Sequence, residues 1–106
     1  MEHSIREEGG ALIVSFKGDV DLEQSPKARE VLLDCVKRGS KILVDLSGVS
    51  YIDSSGVASL VEAFQVAKKQ GKGFALVSVN VSALRVLQLA RLDKVFTIHE
   101  SLADAL

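Results

Sequence analysis

Four consecutive residues, Asp53-Ser54-Ser55-Gly56, form the densest cluster of chemistry-capable groups in the sequence. They stand where an apolar run gives way to a helical pattern, and two readings apply. Asp and Ser are among the commonest helix caps, because they accept a bond from a backbone N–H that the first turn leaves unpaired. Two hydroxyls at a helix start are also an exposed spot that an enzyme could modify. Gly56 would add a bare patch of backbone that a partner could approach closely. Other candidates carry less. His3 and His99 have no Cys or second His at metal-ligand spacing, so no metal is expected. Gly48-Val49-Ser50-Tyr51-Ile52 has the start of a nucleophile elbow but lacks its second glycine. Gly71-Lys72-Gly73 follows a helix and precedes a strand, the wrong order for a phosphate-binding fingerprint, and reads as a helix stop. Asp19 and Asp21 are near each other, but nothing in the sequence supplies a burial partner for acid–base work. The chain is not expected to be an enzyme.

The elements that must position the cluster follow from hydropathy patterning. Ala11–Phe16 reads as a strand paired in a hairpin with residues 3–8 across Gly9-Gly10, and Gly18 breaks its pattern. A helix begins at Ser25-Pro26, with Ser25 as its cap. Its stripe is Ala28, Val31, Leu32, Cys35 and Val36, and Gly39 ends it. Cys35 falls inside that stripe and reads as a buried thiol. Ile42–Leu46 is a near-continuous apolar run, as in a central strand covered on both faces or flanked closely. A helix from Ser54 to Gln70 buries Val57, Leu60, Val61, Phe64 and Ala67. Phe74–Ser78 is the next strand. Ala83, Leu84, Leu87 and Ala90 mark a third helix capped by Asn80 or Ser82. Val95–Ile98 is a last strand, and Ser101 caps a terminal helix through Ala105. The alternation implies an α/β fold in one domain over residues 1–106: a mixed, mostly parallel sheet with an N-terminal hairpin and about four helices.

Composition excludes several classes. With 13 basic and 14 acidic side chains in 106 residues the net charge is −1, so nothing draws the chain onto nucleic acid or anionic lipid. No apolar run approaches the roughly 18–20 residues of a membrane span, so no membrane insertion is expected. One Cys cannot form an internal disulfide, and the first residues lack a basic segment followed by an apolar one; the expected location is the cytoplasm. Aromatic residues are 5% with no Trp, which calls for an aliphatic core.

The run Val44-Asp45-Leu46-Ser47-Gly48-Val49-Ser50-Tyr51-Ile52-Asp53-Ser54-Ser55-Gly56-Val57 resembles the signature of the STAS domain, the fold of bacterial anti-sigma factor antagonists. Gly18-Asp19-Val20-Asp21 is similar to that family's turn ahead of its first helix. Leu76-Val77-Ser78-Val79-Asn80, and Val86-Leu87 through Leu92-Asp93, are similar to its third-helix region. Val81 stands where the family often has Pro and Arg91 where it often has Gly. The resemblance implies that Ser54 is phosphorylated by an anti-sigma factor that is also a serine-protein kinase. The unmodified form would bind that kinase and free the sigma factor, and a PP2C-type phosphatase would reset the switch. Asp21, Asp53, Ser55 and Gly56 would line the same face with Ser54. The kinase would bring its own ATP and magnesium, so this chain needs no cofactor. The same resemblance leaves open a stand-alone subunit bound to the ATPase of an ABC-type phospholipid transporter. A small-molecule sensor has only the cleft at the motif face in its support. By chemistry alone Ser54 and Ser55 are equivalent, since both hydroxyls lie within one helical turn.

Overall fold

A computed structural model describes all residues, Met1–Leu106. Five strands and four helices alternate: β1 (Glu2–Glu8), β2 (Ala11–Val20), α1 (Ser25–Arg38), β3 (Lys41–Ile52), α2 (Ser54–Lys69), β4 (Gly73–Val77), α3 (Val81–Leu89), β5 (Thr97–His99) and α4 (Leu102–Ala105). The strand order is β1-β2-β3-β4-β5, with β1 antiparallel to β2 and every later pair parallel. Each crossover steps one strand in the same direction. Right-handed crossovers therefore place α1, α2 and α3 on one face of the sheet.

That face holds the main core of 23 buried residues, built from Leu12, Val14 and Phe16 of β2, Ile42, Val44 and Leu46 of β3, and the inner stripes of the helices. The opposite face is covered by α4, over Ala11, Ile13, Leu43, Ala75 and Val77. β3 is thus covered on both faces only along its first part, and Asp45 onward emerges toward solvent on the α4 side. The core is not purely aliphatic. Phe64, Phe74 and Phe96 meet edge-on or tilted, with ring centroids 5.3–6.4 Å apart. Cys35 is fully buried in the α1 stripe, and burial pushes its thiol pKa up, which leaves it protonated and inert.

The structure corrects four boundaries. Gly18 does not end β2; it sits at φ +93° beside a register shift, and the strand runs to Val20. β3 does not stop at Leu46 but continues through Ser47-Gly48-Val49-Ser50-Tyr51 to Ile52. It takes one more residue than β2 at each of two bulges, Ser15–Lys17 against Asp45–Gly48 and Gly18–Asp19 against Val49–Tyr51. Ser25 is not a cap. The turn before α1 is already wound, Asp21 receives the Gln24 N–H on Oδ1 at 3.0 Å, and the Ser25 hydroxyl donates back to the Leu22 carbonyl. Finally, Val95 and Phe96 lie outside β5. Phe96 turns under α2 to meet Phe64, and the parallel ladder begins only at Thr97. Of the two caps offered for α3, Asn80 is used. Its Oδ1 accepts from Ala83 N at 2.9 Å, while its Nδ2 donates to the Leu46 and Val49 carbonyls around the first β3 bulge.

Two helices end in the same device, with different residues at its left-handed position. After α2, Gly71 (φ +69°) donates to Lys68 O and Lys72 donates to Ala67 O. After α3, Arg91 (φ +59°) donates to Gln88 O and Leu92 donates to Leu87 O. This is the paired bonding of a Schellman motif, whose left-handed residue is best served by Gly. Arg91 carries the Cβ penalty that Gly71 avoids. Arg91→Gly is expected to stabilise the domain by roughly 0.5–1 kcal/mol, read as a rise of several degrees in the thermal midpoint.

Candidate functional site

The parallel strands deliver their carboxyl ends to one pole of the sheet, where β2 ends at Val20 and β3 at Ile52. Asp53 is the first residue beyond β3 and the cap of α2. Its Oδ1 accepts from Ser55 N at 2.9 Å and Gly56 N at 3.1 Å, and its Oδ2 accepts from Leu22 N at 3.0 Å. One carboxylate therefore joins the head of α2 to the turn that leads into α1. Asp21, one residue before Leu22, uses its own carboxylate to cap that turn. The two aspartates named from the sequence are brought together, each held by backbone N–H groups.

Ser54 and Ser55, equivalent in sequence, part company here. Ser54 is exposed at the head of α2, whereas Ser55 is half-buried. Only Ser54 lines the apolar groove, about 810 Å³, that lies between α2 and α3; with it are Val57, Val61, Val86, Leu89 and Leu92. Capping and exposure are thus divided between neighbours, Asp53 serving as the cap and Ser54 standing free of that task.

Gly56 corrects an expectation. It is buried, and a Cβ there would lie 2.4 Å from the Val20 carbonyl oxygen and 2.8 Å from Ile52 Cγ1. The space beside it is taken by the end of β2, not left for a partner. Its absent side chain lets the first turn of α2 sit against β2, which brings Asp53 within reach of Leu22.

Several features escaped the sequence reading. Leu22 is 72% exposed at the tip of the β2–α1 turn, and Leu89 is 80% exposed on the groove wall. Both were visible as leucines out of place, Leu22 flanked by Asp21 and Glu23 and Leu89 off the buried stripe of α3. Arg29 and Glu62 form a two-bond ion pair between α1 and α2, 33 residues apart, through Nε to Oε2 and through Nη2 to Oε1 at 3.2 Å. The Glu62 carboxylate raises the Arg29 pKa, first by hydrogen bonding and then by its charge. His3 lies exposed on edge strand β1 and His99 closes β5, and no group of three His, Cys, Asp or Glu side chains is placed to hold a metal. No helix is long and apolar enough to cross a membrane.

Comparison with known proteins agrees with the fold. The anti-sigma-B factor antagonist of Bacillus subtilis is 29% identical over 85 residues, 80% of this chain and 78% of its own. The crystal structure of an anti-sigma factor antagonist from Mycobacterium paratuberculosis superposes with a TM-score of 0.90 at 26% identity, covering 98% of this chain and 89% of that one. The Bacillus cell fate determinant SpoIIAA in its phosphorylated form shares the fold, with a TM-score of 0.75 at 14% identity over 98% of this chain and 96% of its own. The STAS domain model matches residues 3–105, nearly the whole length. With that match, a five-stranded sheet of this order and an Asp-capped α2 headed by a serine, the chain belongs to the STAS domain family.

Proposed function

We propose that this chain is an anti-sigma factor antagonist. Its unmodified form binds an anti-sigma factor that is also a serine kinase, which releases the sigma factor, and phosphorylation of Ser54 ends the binding. A PP2C-type phosphatase removes the phosphate and restores the binding form. The names of its relatives support an antagonist over a subunit of a transporter ATPase. The observation that carries the switch is the exposed Ser54 hydroxyl at the mouth of an apolar groove. A bound partner covering Ser54 would meet a small hydroxyl in one state and a dianion in the other. Transfer of the γ-phosphoryl group of ATP to Ser54 Oγ, with loss of the hydroxyl proton and release of ADP, adds about −1.5 to −2 charges and three acceptor oxygens. Asp21 and Asp53 already make that pole acidic, so the added charge is unwelcome on both counts.

Incubation with the cognate anti-sigma factor, ATP and magnesium tests the reading. One phosphate is expected, mapped by mass spectrometry to Ser54 and missing in Ser54→Ala. Modification at Ser55, or a stable complex that never acquires phosphate, would overturn it.

A further inference from the structure

A lone exposed leucine calls for no explanation, because single apolar residues are scattered over most protein surfaces. Leu22 is set apart by how its peptide groups are held. Its N–H donates to Asp53 Oδ2 at 3.0 Å, and its carbonyl accepts from the Ser25 hydroxyl at 3.2 Å. The turn around it is closed as well, since the Asp21 carbonyl accepts from Gln24 N at 3.1 Å and from Ser25 N at 2.8 Å. A side chain that is 72% exposed therefore rises from a backbone fixed at both of its polar groups. Leu22 also belongs to the pole of Ser54. The carboxylate that holds its amide is that of Asp53, whose carbonyl forms the Ser54 peptide bond, so one side chain spans the two positions. A specific protein partner covers about 800 Å² of each surface, a patch roughly 30 Å across. The whole molecule measures 29 × 26 × 24 Å, so a partner centred on Ser54 covers Leu22 too. The charges around the leucine are of one sign. Residues 18–26 contain Asp19, Asp21 and Glu23 but no Lys or Arg before Lys27, and neither these carboxylates nor Asp53 forms an ion pair.

From this arrangement we infer that Leu22 is an anchor of the partner interface. It is a preset knob that enters an apolar socket on the anti-sigma factor, with Lys or Arg at the rim of the socket facing Asp21 and Glu23. The inference rests on the function proposed above and names a contact within it. Seating the knob takes apolar surface out of water, and a residue whose backbone is already fixed loses less freedom on docking than one on a mobile loop. The carboxylates on either side, which have no cation of their own, favour encounter with a basic surface and fix the register of the knob in its socket. Ser25 acts through Leu22 as a positioning residue: its hydroxyl holds the leucine carbonyl in place.

Titration calorimetry with the purified cognate anti-sigma factor provides the test. It compares the parent with Leu22→Ser, Leu22→Met, Ser25→Ala, the double variant of Leu22→Ser with Ser25→Ala, and Leu106→Ser, which alters an exposed leucine beside Gly9 at the other end of the sheet. Leu22→Ser is expected to weaken binding about 10- to 100-fold and to make the heat-capacity change of binding less negative. Its thermal midpoint should match the parent, because the core does not use this side chain. Leu22→Met, which conserves the volume, stays within about threefold of the parent, and Leu106→Ser equals it. Ser25→Ala costs a few-fold in the parent and nothing once Leu22 is gone. Glu23→Lys slows association, more at low salt than at high. Equal affinities of the parent and Leu22→Ser, or a Ser25→Ala cost that persists without Leu22, would overturn the inference, and an unchanged association rate in Glu23→Lys would overturn the basic rim. A dimer of the free parent that Leu22→Ser dissociates would give the knob to a second copy and overturn it too. The two ideas fail separately. A parent that binds and responds to Ser54→Asp but not to Leu22→Ser sinks the anchor alone, whereas a parent that binds no anti-sigma factor sinks the proposed function and the anchor with it.

Discussion

Ser54→Asp is expected to weaken association with the anti-sigma partner by at least a hundredfold, while Ser54→Ala binds as tightly as the unmodified protein and cannot be switched off. The size follows from where the charge goes. A carboxylate at the first position of α2 is tolerated or slightly favoured by the helix dipole, so the isolated protein should lose no more than a few tenths of a kcal/mol. Under a docked partner the same carboxylate must shed water against the groove surface formed by Val57, Val61 and Leu89, with Asp53 adjacent. An unpaired buried charge costs several kcal/mol, and about 2.8 kcal/mol already corresponds to a hundredfold in affinity. Titration calorimetry on the three proteins, with thermal unfolding run in parallel, separates an interface effect from a folding defect. An Asp variant that bound within about threefold of the parent would remove Ser54 from the interface.

The largest effect on stability is expected from Gly56→Ala. The φ angle of this glycine is ordinary, so the issue is space and not backbone preference. The added methyl group would meet a backbone carbonyl oxygen, Val20 O, at 2.4 Å, and Val20 Cγ1 at 3.0 Å. A carbonyl in a strand cannot rotate away without breaking its ladder. Either β2 loses its last pairing with β3 or the head of α2 lifts from the sheet. Lifting α2 also strains the Asp53 bond to the Leu22 amide. A cost of about 3 kcal/mol is expected, large against a total stability of roughly 5–15 kcal/mol, and it should lower the thermal midpoint by about 10–20 °C. A midpoint within about 2 °C of the parent would mean that the strand end yields freely and that the packing role assigned to Gly56 is wrong.

The element order was legible because the three longer helices carry their stripes at helical spacing and β1 to β4 each have Gly or Ser at one end at least. The length of β3 was not. Ser47, Gly48 and Ser50 have turn chemistry, and the pairing with β2, interrupted by two bulges, keeps them extended together with the Asn80 bonds to the Leu46 and Val49 carbonyls. Ser25 looked like a cap because it precedes Pro26, but Asp21 four residues earlier already winds the turn. At the site, Asp53 could be read as a cap from its type and place. The third bond of its carboxylate, to Leu22, depends on how β2 and β3 end side by side, which no local pattern encodes. The distinction between Ser54 and Ser55 likewise came from exposure, since a one-residue step turns a helical side chain by about 100°. Arg29 and Glu62 lie too far apart in sequence for any spacing rule to pair them.

The far pole of the molecule offers a practical handle. Leu106 lies beside Gly9 at the β1–β2 hairpin, and the Lys41 ammonium donates to the Ala105 carbonyl at 2.6 Å, so the last residues are pinned at the amino ends of the parallel strands. β2 then runs its ten residues along a molecule 29 Å in its longest extent before it reaches the Ser54 pole. A fluorophore or affinity handle fused after Leu106 would hang from the opposite end, where it could report on docking without standing in its way.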